Sequence, residues 1–330
     1  MNFITGGIGI VGSRLIYDLL LSGEKVRALK RKESNLDTFH KIIRFYSGDQ
    51  HILDNLEWME GDINDILSLE EGMKDCSYVY HCAAAVSFFK NDKDRMFKIN
   101  VEGTRNVVNT ALKCNIKKLC YVSSTAALGG SEVNGLITEE ALWQDEKGRS
   151  NYAISKKLAE LEVWRGIEEG LNAVIVNPSV ILGPGDKSSS TLFTKVNKGL
   201  RFYTHGVNGY VDVRDVSNIM IKLMHSDISG ERFLAISENI SFRELFDSIA
   251  EHLHKQAPTI EAKRWMAEII WRLEALRSAL FNTPAFVTKE TSASAFSSSR
   301  YSNEKARARL NHKFIPVFTS IKEISRFYKN

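Results

Sequence analysis

The chain begins Met1-Asn-Phe-Ile-Thr5-Gly6-Gly7-Ile-Gly9-Ile-Val-Gly12-Ser-Arg-Leu15, and this stretch decides the fold. A short apolar segment runs directly into glycines, and an amphipathic helical pattern follows. The order predicts a strand, a glycine-rich turn and a helix N-terminus. Such a turn suits a pyrophosphate, because backbone N–H groups and the helix dipole face the phosphates and glycines permit close approach. The residues expected to contact a dinucleotide here are Gly6, Gly9, Ile10, Val11 and Gly12.

Further apolar segments alternate with helical patterns along the first half of the chain. The sequence predicts strands over 25–30 and 56–59, a buried strand over 78–85 that ends in small residues, and a strand over 119–124 that ends in two hydroxyls. Alternation of this kind predicts an α/β fold with a doubly wound parallel Rossmann sheet, whose ligand site lies at the carboxyl ends of the strands. The groups that follow strand ends, and should therefore meet at one edge, are Asp62, Ile63, Ala83, Ala84, Ala85, Ser123 and Ser124.

The second strand ends in Leu29-Lys30-Arg31-Lys32. An acidic residue there would hold the free 2′-hydroxyl of NAD, whereas a cluster of cations suits a 2′-phosphate. The sequence thus favours NADP, with Arg31 as the main ligand and Lys30 or Lys32 assisting; NAD is the alternative. Asp62, after the third strand, either accepts from the adenine amino group or caps the next helix.

Tyr152 and Lys156 lie four residues apart in a predicted helix over 152–170. This spacing places both side chains on one side of the helix. An ammonium near a phenol favours the phenolate and lowers the phenol pKa, which makes a proton donor and acceptor usable near neutral pH.

Together these motifs resemble the extended short-chain dehydrogenase/reductase family, which includes NAD-dependent epimerases and dehydratases. The resemblance covers nearly the whole chain. Within the family, the chain most resembles the branch that holds dihydroflavonol reductases and 3β-hydroxysteroid dehydrogenases. The matching segments are Thr5-Gly-x-x-Gly-x-x-Gly12, Gly61-Asp62, His81-x-Ala83-Ala84, Asn100-Val-x-Gly-Thr104, Ser123-Ser124, Tyr152-x-x-x-Lys156, Asn177-Pro178-Ser179, Gly183-Pro184-Gly185 and Tyr210-Val-Asp212-Val-Arg-Asp215-Val.

The resemblance implies a role for each catalytic position. Ser124 should hydrogen-bond the substrate oxygen, with Ser123 as the second choice, and Tyr152 should be the general acid or base. Lys156 should bind the nicotinamide ribose and lower the pKa of Tyr152, and Asn100 should hold the helix behind the site.

The same resemblance implies that Pro178, Val180 and Ile181 pass beside the nicotinamide. The chain also departs from the family pattern. Asn177 stands where relatives often carry Arg, and Thr125-Ala126 replace the acidic pair with which dehydratases eliminate water.

All five prolines lie after residue 177, so the later part of the chain should be less regular. We expect a Rossmann domain over 1–178 with a returning segment near 210–236. A smaller, mostly helical substrate-binding lobe over 179–330 should interleave with it. Phe88, Phe89 and Trp143 are candidates for lining the substrate pocket.

The apolar fraction of 43% is ordinary for a globular protein, and a net charge of +4 with dispersed cations indicates no nucleic-acid surface. The four cysteines lack metal-ligand spacing, so no metal site is expected. Their number and context indicate reduced thiols in the cytoplasm. A homodimer is possible, since dimers are common in the family.

No apolar segment is long enough to span a bilayer. Residues 261–281 carry an apolar stripe at helical spacing, for which we expect a cap helix packed over the substrate cleft. A dimer face or a membrane-surface helix is the alternative. The stripe consists of Trp265, Ile269, Leu273, Leu276 and Leu280.

Three functions remain open from the sequence. The first is reversible, NADPH-dependent reduction of a ketone or aldehyde by hydride transfer. The second is a nucleotide-sugar epimerase with retained NAD, and the third is a cofactor-sensing module without turnover. The intact set of Ser124, Tyr152 and Lys156 favours the first.

Overall fold

The structure is a computed structural model that describes residues 1–47, 51–87, 89–130, 134–143, 148–186, 190–281 and 289–329. Its centre is a sheet of seven parallel strands in the order β10-β6-β5-β4-β1-β2-β3. The strand order reverses direction between β1 and β4, which is the switch point at which doubly wound sheets bind ligands. The strands are β1 (Asn2–Thr5), β2 (Val26–Lys30), β3 (Leu56–Glu60), β4 (Tyr78–His81), β5 (Lys118–Val122), β6 (Ala173–Pro178) and β10 (Glu231–Ala235).

Helices cover both faces of the sheet, and strand residues alternate between two cores. On β5, for example, Cys120 and Val122 join one core, whereas Leu119 and Tyr121 join the other. This alternation is the pleat of a strand that is buried on both sides. The helices of the N-terminal half are α1 (Ile10–Leu21), α2 (Asp37–Tyr46), α3 (Ile66–Met73), α4 (Lys93–Phe97), α5 (Gly103–Lys113) and α6 (Asn151–Glu168).

The chain leaves the central sheet after β6 and returns to it as β10, which pairs in parallel with β6. This return lies within the returning segment predicted near 210–236. Between the two lie β7 (Val180–Leu182), α7 (Ser190–Asn197), β8 (Phe202–Tyr203), β9 (Val207–Asp212) and α8 (Val213–Met224).

The C-terminal part forms a separate apolar core from α7, α9 and α13 beside a three-stranded sheet of order β11-β9-β7. A two-stranded sheet pairs β8 with β12. The remaining elements are β11 (Glu238–Ser241), α9 (Phe242–Leu253), β12 (Ile260–Glu261), α10 (Arg264–Phe281), α11 (Lys289–Ala295), α12 (Glu304–Leu310) and α13 (Val317–Ile324).

Helix α10 coincides with the predicted cap helix, but its apolar stripe is not buried. The exposed fractions of Trp265, Ile269 and Leu273 are 62%, 50% and 60%. The prediction of a packed cap is therefore wrong for these three residues, because a helical apolar pattern reveals a face and not what covers it. The side chains of Leu276 and Leu280 are not among those that the structure describes. Within the described ranges, no helix combines the length and apolarity needed to cross a membrane.

Candidate active site

The predicted ligand groups meet at one edge because all seven strands are parallel. The glycine turn follows β1, Asp62 follows β3, Ala83 follows β4 and Ser124 follows β5. Pro178 closes β6 at the same edge. Gly183, beyond β7, lies so close to the start of α1 that an added Cβ would stand 2.8 Å from Ile10 Cδ1. The Pro178–Ile181 segment is thereby brought towards the glycine turn.

The glycine turn has the features of a pyrophosphate-binding site. Gly6 has a φ of 73°, and a Cβ there would stand 2.6 Å from the backbone nitrogen of Ala83. A Cβ on Gly12 would collide with the carbonyl oxygen of Gly6. Gly9 is the exposed N-cap of α1, and neither a capping side chain nor a first-turn acidic residue serves this end. Unpaired amides at the positive end of a twelve-residue helix fit a dinucleotide phosphate.

In the basic cluster at the end of β2, Arg31 and Lys32 are exposed, whereas Lys30 is partly buried. Arg31 Nε lies 3.5 Å from Glu33 Oε1, and both side chains are about half exposed or more, at 48% and 71%. Lys30 Nζ lies 3.2 Å from Glu60 Oε1 on the neighbouring strand. Surface ion pairs of this kind contribute roughly 0–1 kcal/mol, so a phosphate can compete for Arg31.

Asp62 does not cap the helix that follows it. Its Oδ1 accepts hydrogen bonds from the backbone and side-chain nitrogens of Asn64, both at 2.9 Å. Asp65 is the N-cap of α3 instead, and its carboxylate accepts from the backbone N–H of Leu67 and the hydroxyl of Ser68. The capping alternative for Asp62 is therefore wrong. Ile63 is buried and packs against Gly103.

A buried chain of hydrogen bonds runs behind the crevice from β1 to α5. Thr5 Oγ1 lies 2.6 Å from His81 Nδ1, and His81 Nε2 lies 2.9 Å from Thr104 Oγ1. Because the Thr104 hydroxyl donates its only hydrogen to the carbonyl oxygen of Asn100, the proton of the neutral His81 ring belongs on Nε2. Burial lowers the pKa of His81 to about 3, so the ring is neutral at physiological pH.

Asn100 connects this chain to the helix that carries Tyr152. Its side chain donates to the carbonyl oxygen of Ala85 and accepts from the Ala85 N–H, at 2.9 and 2.7 Å. It also donates to Ser155 Oγ at 2.9 Å, and Ser155 donates to the carbonyl oxygen of Tyr152. Asn100 itself lies in a π-helical turn, Lys98–Glu102, a feature frequent at functional sites. It thus ties α6 to the loop after β4.

Ser124 and Tyr152 are hydrogen-bonded to each other through their side chains. Both side chains are partly buried at the carboxyl edge of the sheet. Ser124 Oγ also accepts from the N–H of Ala126, which fixes the hydroxyl at the start of a short 3₁₀ turn. Ser150 caps α6 by accepting from the N–H of Ala153, which fixes the first turn of the helix. The two predicted proton donors are therefore brought together.

Lys156 lies behind this pair and is 1% exposed. Its ammonium donates to Tyr121 Oη and to the carbonyl oxygen of Val122, both at 2.8 Å. Burial lowers the pKa of Lys156 to about 7, and the Glu160 carboxylate opposes this shift. The pKa of Tyr152 is raised, because burial outweighs the hydrogen bond from Ser124. The expected lowering of the Tyr152 pKa by Lys156 is thus not found; the amine bonds to Tyr121 instead.

The substrate candidates are not gathered at this site. Phe88 lies outside the described residues, and Phe89 is 36% exposed. Lys157 Nζ lies 4.5 Å above the centre of the Trp143 ring, which lines a separate cavity of about 550 Å³. The described lining of that cavity does not include Ser124, Tyr152 or Lys156. The assignment of Trp143 to the substrate pocket stays a prediction.

The sequence reasoning missed a buried carboxylate, Glu160, and its partners. Glu160 follows Lys156 by four residues and is 3% exposed. The available signal was this i, i+4 spacing, which continues the face that carries Tyr152 and Lys156. No group of three or more metal-binding side chains occurs within the part of the chain that the structure describes.

Comparison with known proteins agrees with this geometry. A model of the NAD-dependent epimerase/dehydratase family matches residues 2–235. The chain belongs to this family. It is an NAD(P)-dependent enzyme of the extended short-chain dehydrogenase/reductase type.

Two curated relatives are named as reductases. The chain is 30% identical over 293 residues to a putative dihydroflavonol 4-reductase from Synechocystis sp., covering 86% of this chain and 81% of the relative. It is 28% identical over 262 residues to cinnamoyl-CoA reductase 1 from Oryza sativa subsp. japonica, covering 75% and 74%. The crystal structure of gox2253 superposes with a TM-score of 0.80 at 27% identity, covering 100% of this chain and 98% of that one.

Proposed function

We propose that this enzyme reduces a ketone or aldehyde with NADPH, reversibly, and that Tyr152 is its proton donor. The hydrogen-bonded pair of Ser124 and Tyr152, at the sheet edge that also carries the glycine turn, is the main observation in favour. The names of the two curated relatives, both reductases, give further support.

The residues that would hold the cofactor follow its expected path along the edge. The amides of Ile10, Val11 and Gly12 would face the pyrophosphate, with Gly6 and Gly9 allowing its close approach, and Asp62 with Ile63 would border the adenine. Arg31, assisted by Lys32, would bind the 2′-phosphate. Ala83, Ala84, Lys156, Pro178, Val180 and Ile181 would border the nicotinamide riboside. When bound, the nicotinamide supplies a hydride.

The protein's own part in the reaction is to bind the carbonyl oxygen and to supply a proton. Two hydroxyls held together can both donate to the oxygen as negative charge develops on it. The raised pKa of Tyr152 keeps its phenol protonated at neutral pH, which suits a donor and therefore the direction of reduction. Tyr152 would pass its proton to the alkoxide, and Ser124 would keep its own.

Lys156 and Asn100 would act behind the reacting atoms. Lys156, held by Tyr121 and by the carbonyl oxygen of Val122, would bind the nicotinamide ribose. Asn100 holds the first turn of α6 against the loop after β4, so that Tyr152 keeps its position.

The purified protein should exchange free NADPH and consume it with members of a panel of ketones and aldehydes. Turnover is followed by the loss of NADPH absorbance, and the cofactor that remains bound is identified after denaturation. Tightly retained NAD(H), no net consumption and a bound sugar nucleotide detected by mass spectrometry would instead establish the epimerase.

A further inference from the structure

Four hydrogen bonds converge on the buried carboxylate of Glu160. Oε2 accepts from the hydroxyl of Ser123 at 2.5 Å and from the amide of Asn177 at 2.7 Å. Oε1 accepts from Arg232 Nη1 at 3.0 Å and from the indole N–H of Trp164 at 3.3 Å. An ionised carboxylate has about four acceptor positions, so its hydrogen-bonding capacity is used.

Two of these partners hold the backbone beside Ser124. Ser123 is its direct neighbour on the chain, and Asn177 Nδ2 donates both to Glu160 and to the carbonyl oxygen of Ser124, at 3.0 Å. One turn earlier on α6, Lys156 donates to the carbonyl oxygen of Val122. Helix α6 therefore holds the end of β5 at successive positions, and Glu160 acts on the backbone beside Ser124 through Ser123 and Asn177.

Arg232 balances the buried negative charge of Glu160, and its own side chain is held by a further hydrogen bond. It lies on β10, the edge strand, and its Nε donates to the carbonyl oxygen of Glu139 at 2.6 Å. A buried charge left without its partner strongly destabilises a protein, whereas a fully hydrogen-bonded pair can be retained for geometry rather than stability. Ser123 and Asn177 are also buried, at 4% and 0% exposure, so the two contacts of Oε2 are shielded from water.

The geometry points to Glu160 as a positioning residue of the reductase site, with Arg232 as its counter-charge. Glu160 does not face the substrate. It fixes the positions of the Ser123–Ser124 peptide and of the end of β6 relative to Lys156. This inference rests on the proposed function, because the position of Ser124 matters to catalysis only if its hydroxyl binds the substrate oxygen. The charge of Glu160 additionally supports the ammonium of Lys156 from behind.

The test compares Glu160→Gln with Glu162→Gln. Glutamine keeps the size of the side chain but replaces one acceptor oxygen with a donor and removes the charge. We expect kcat to fall roughly 10- to 100-fold, the loss typical of a displacement of about 1 Å at a reacting group, while the Kd for NADPH changes less than about threefold. Glu162 lies on the same helix and pairs with Arg105 of α5 and Arg165 of α6, so its variant should keep kcat within about twofold.

The inference is overturned if Glu160→Gln keeps parental kcat, or if its loss appears equally in cofactor affinity. An equal loss in Glu162→Gln would also overturn it, because the effect would then belong to the helix in general. Arg232→Met gives a second check: adding Glu160→Gln to it should raise the melting temperature, since the double variant leaves no unpaired buried charge.

Hydrogen exchange separates failure of this inference from failure of the proposed function. The N–H of Ser123 donates to the carbonyl oxygen of Val176 and should exchange faster in Glu160→Gln, whereas the glycine turn should not change. If the parent consumes no NADPH, the proposed function fails, and the exchange at Ser123 still decides whether Glu160 holds this strand end. Unchanged exchange would refute the positioning role.

Discussion

The two ends of the cofactor crevice are built differently. At the catalytic end, Lys156 is buried and makes two hydrogen bonds of 2.8 Å, and Ser124 and Tyr152 are joined to each other. At the adenosine end, Arg31 is half exposed and lies 3.5 Å from Glu33. The difference teaches that, under the proposed function, the chemistry would depend on fixed geometry and cofactor selectivity on adaptable surface charge. Variants at one end should therefore change kcat, and variants at the other should change affinity.

The largest effect is expected from Tyr152→Phe. Removing one donor to a developing oxyanion typically costs about 100- to 1,000-fold in kcat, and this phenol is also the proposed proton source. The Kd for NADPH, measured by fluorescence titration, should stay within about threefold. Tyr203→Phe, in the C-terminal lobe, is the control and should keep kcat. A Tyr152→Phe variant with near-parental turnover would remove the distinction between the two ends.

Arg31→Ala should act on affinity alone. Loss of charge-assisted hydrogen bonds to a 2′-phosphate should raise the Kd for NADPH roughly 10- to 100-fold and leave the Kd for NADH unchanged. The saturated kcat should not change. Calorimetric titration of the parent, Arg31→Ala and Arg44→Ala, an exposed control on α2, provides the measurement. An equal increase in the Kd for NADPH and the Kd for NADH would show that Arg31 does not recognise the 2′-phosphate.

Lys156→Met should reveal the cost of the buried ammonium as a pH-dependent stability. The pKa of Lys156 is lowered from 10.5 to about 7 in the folded protein, so between these values the unfolded chain binds more protons. The contribution of Lys156 to the free energy of unfolding of the parent protein therefore increases as the pH rises above about 7. Below about pH 7, the full cost of burying the charged amine applies.

The melting temperature gained by Lys156→Met, measured without cofactor, should therefore be larger at about pH 6 than at about pH 9. The difference corresponds to a free energy of unfolding on the order of 2 kcal/mol. A gain that is independent of pH would mean that the folded and unfolded chains bind the same number of protons at this amine, so that its pKa is not lowered on folding.

The smallest effect is expected from Glu33→Gln, which removes the ion-pair partner of Arg31. An exposed pair is worth roughly 0.2–1 kcal/mol, so the Kd for NADPH should fall by about two- to fivefold at low salt. The gain should shrink as salt screens the charges. Weaker NADPH binding in this variant would indicate that Glu33 orients Arg31 rather than competing for it.

The edge of the sheet was predictable because its signals are local. The glycine turn, the short apolar strands and the Tyr152–Lys156 spacing each lie within one segment, and parallel strands must end on one side. The network around Glu160 was not, because it joins Ser123, Asn177 and Arg232, which are 37, 17 and 72 positions away in the chain. Long-range hydrogen bonds leave no periodic pattern.

Two further expectations depended on distances that a sequence does not give. Lys156 was expected to shift the pKa of Tyr152, but its ammonium reaches Tyr121 and Val122, which belong to a strand rather than to α6. The stripe on α10 was expected to be covered, but Trp265 is mostly exposed. Helical spacing gives the direction of a side chain, and only the tertiary fold supplies its neighbour.

The central claim is that hydride reaches a carbonyl carbon while Tyr152 protonates its oxygen. It is tested most directly by mass spectrometry of the product formed from NADPH that carries deuterium at the transferring position of the nicotinamide. The account predicts an alcohol product with one deuterium on the former carbonyl carbon from the parent protein, and almost none from Tyr152→Phe in the same time. A product without deuterium, or equal labelling by both proteins, would contradict it.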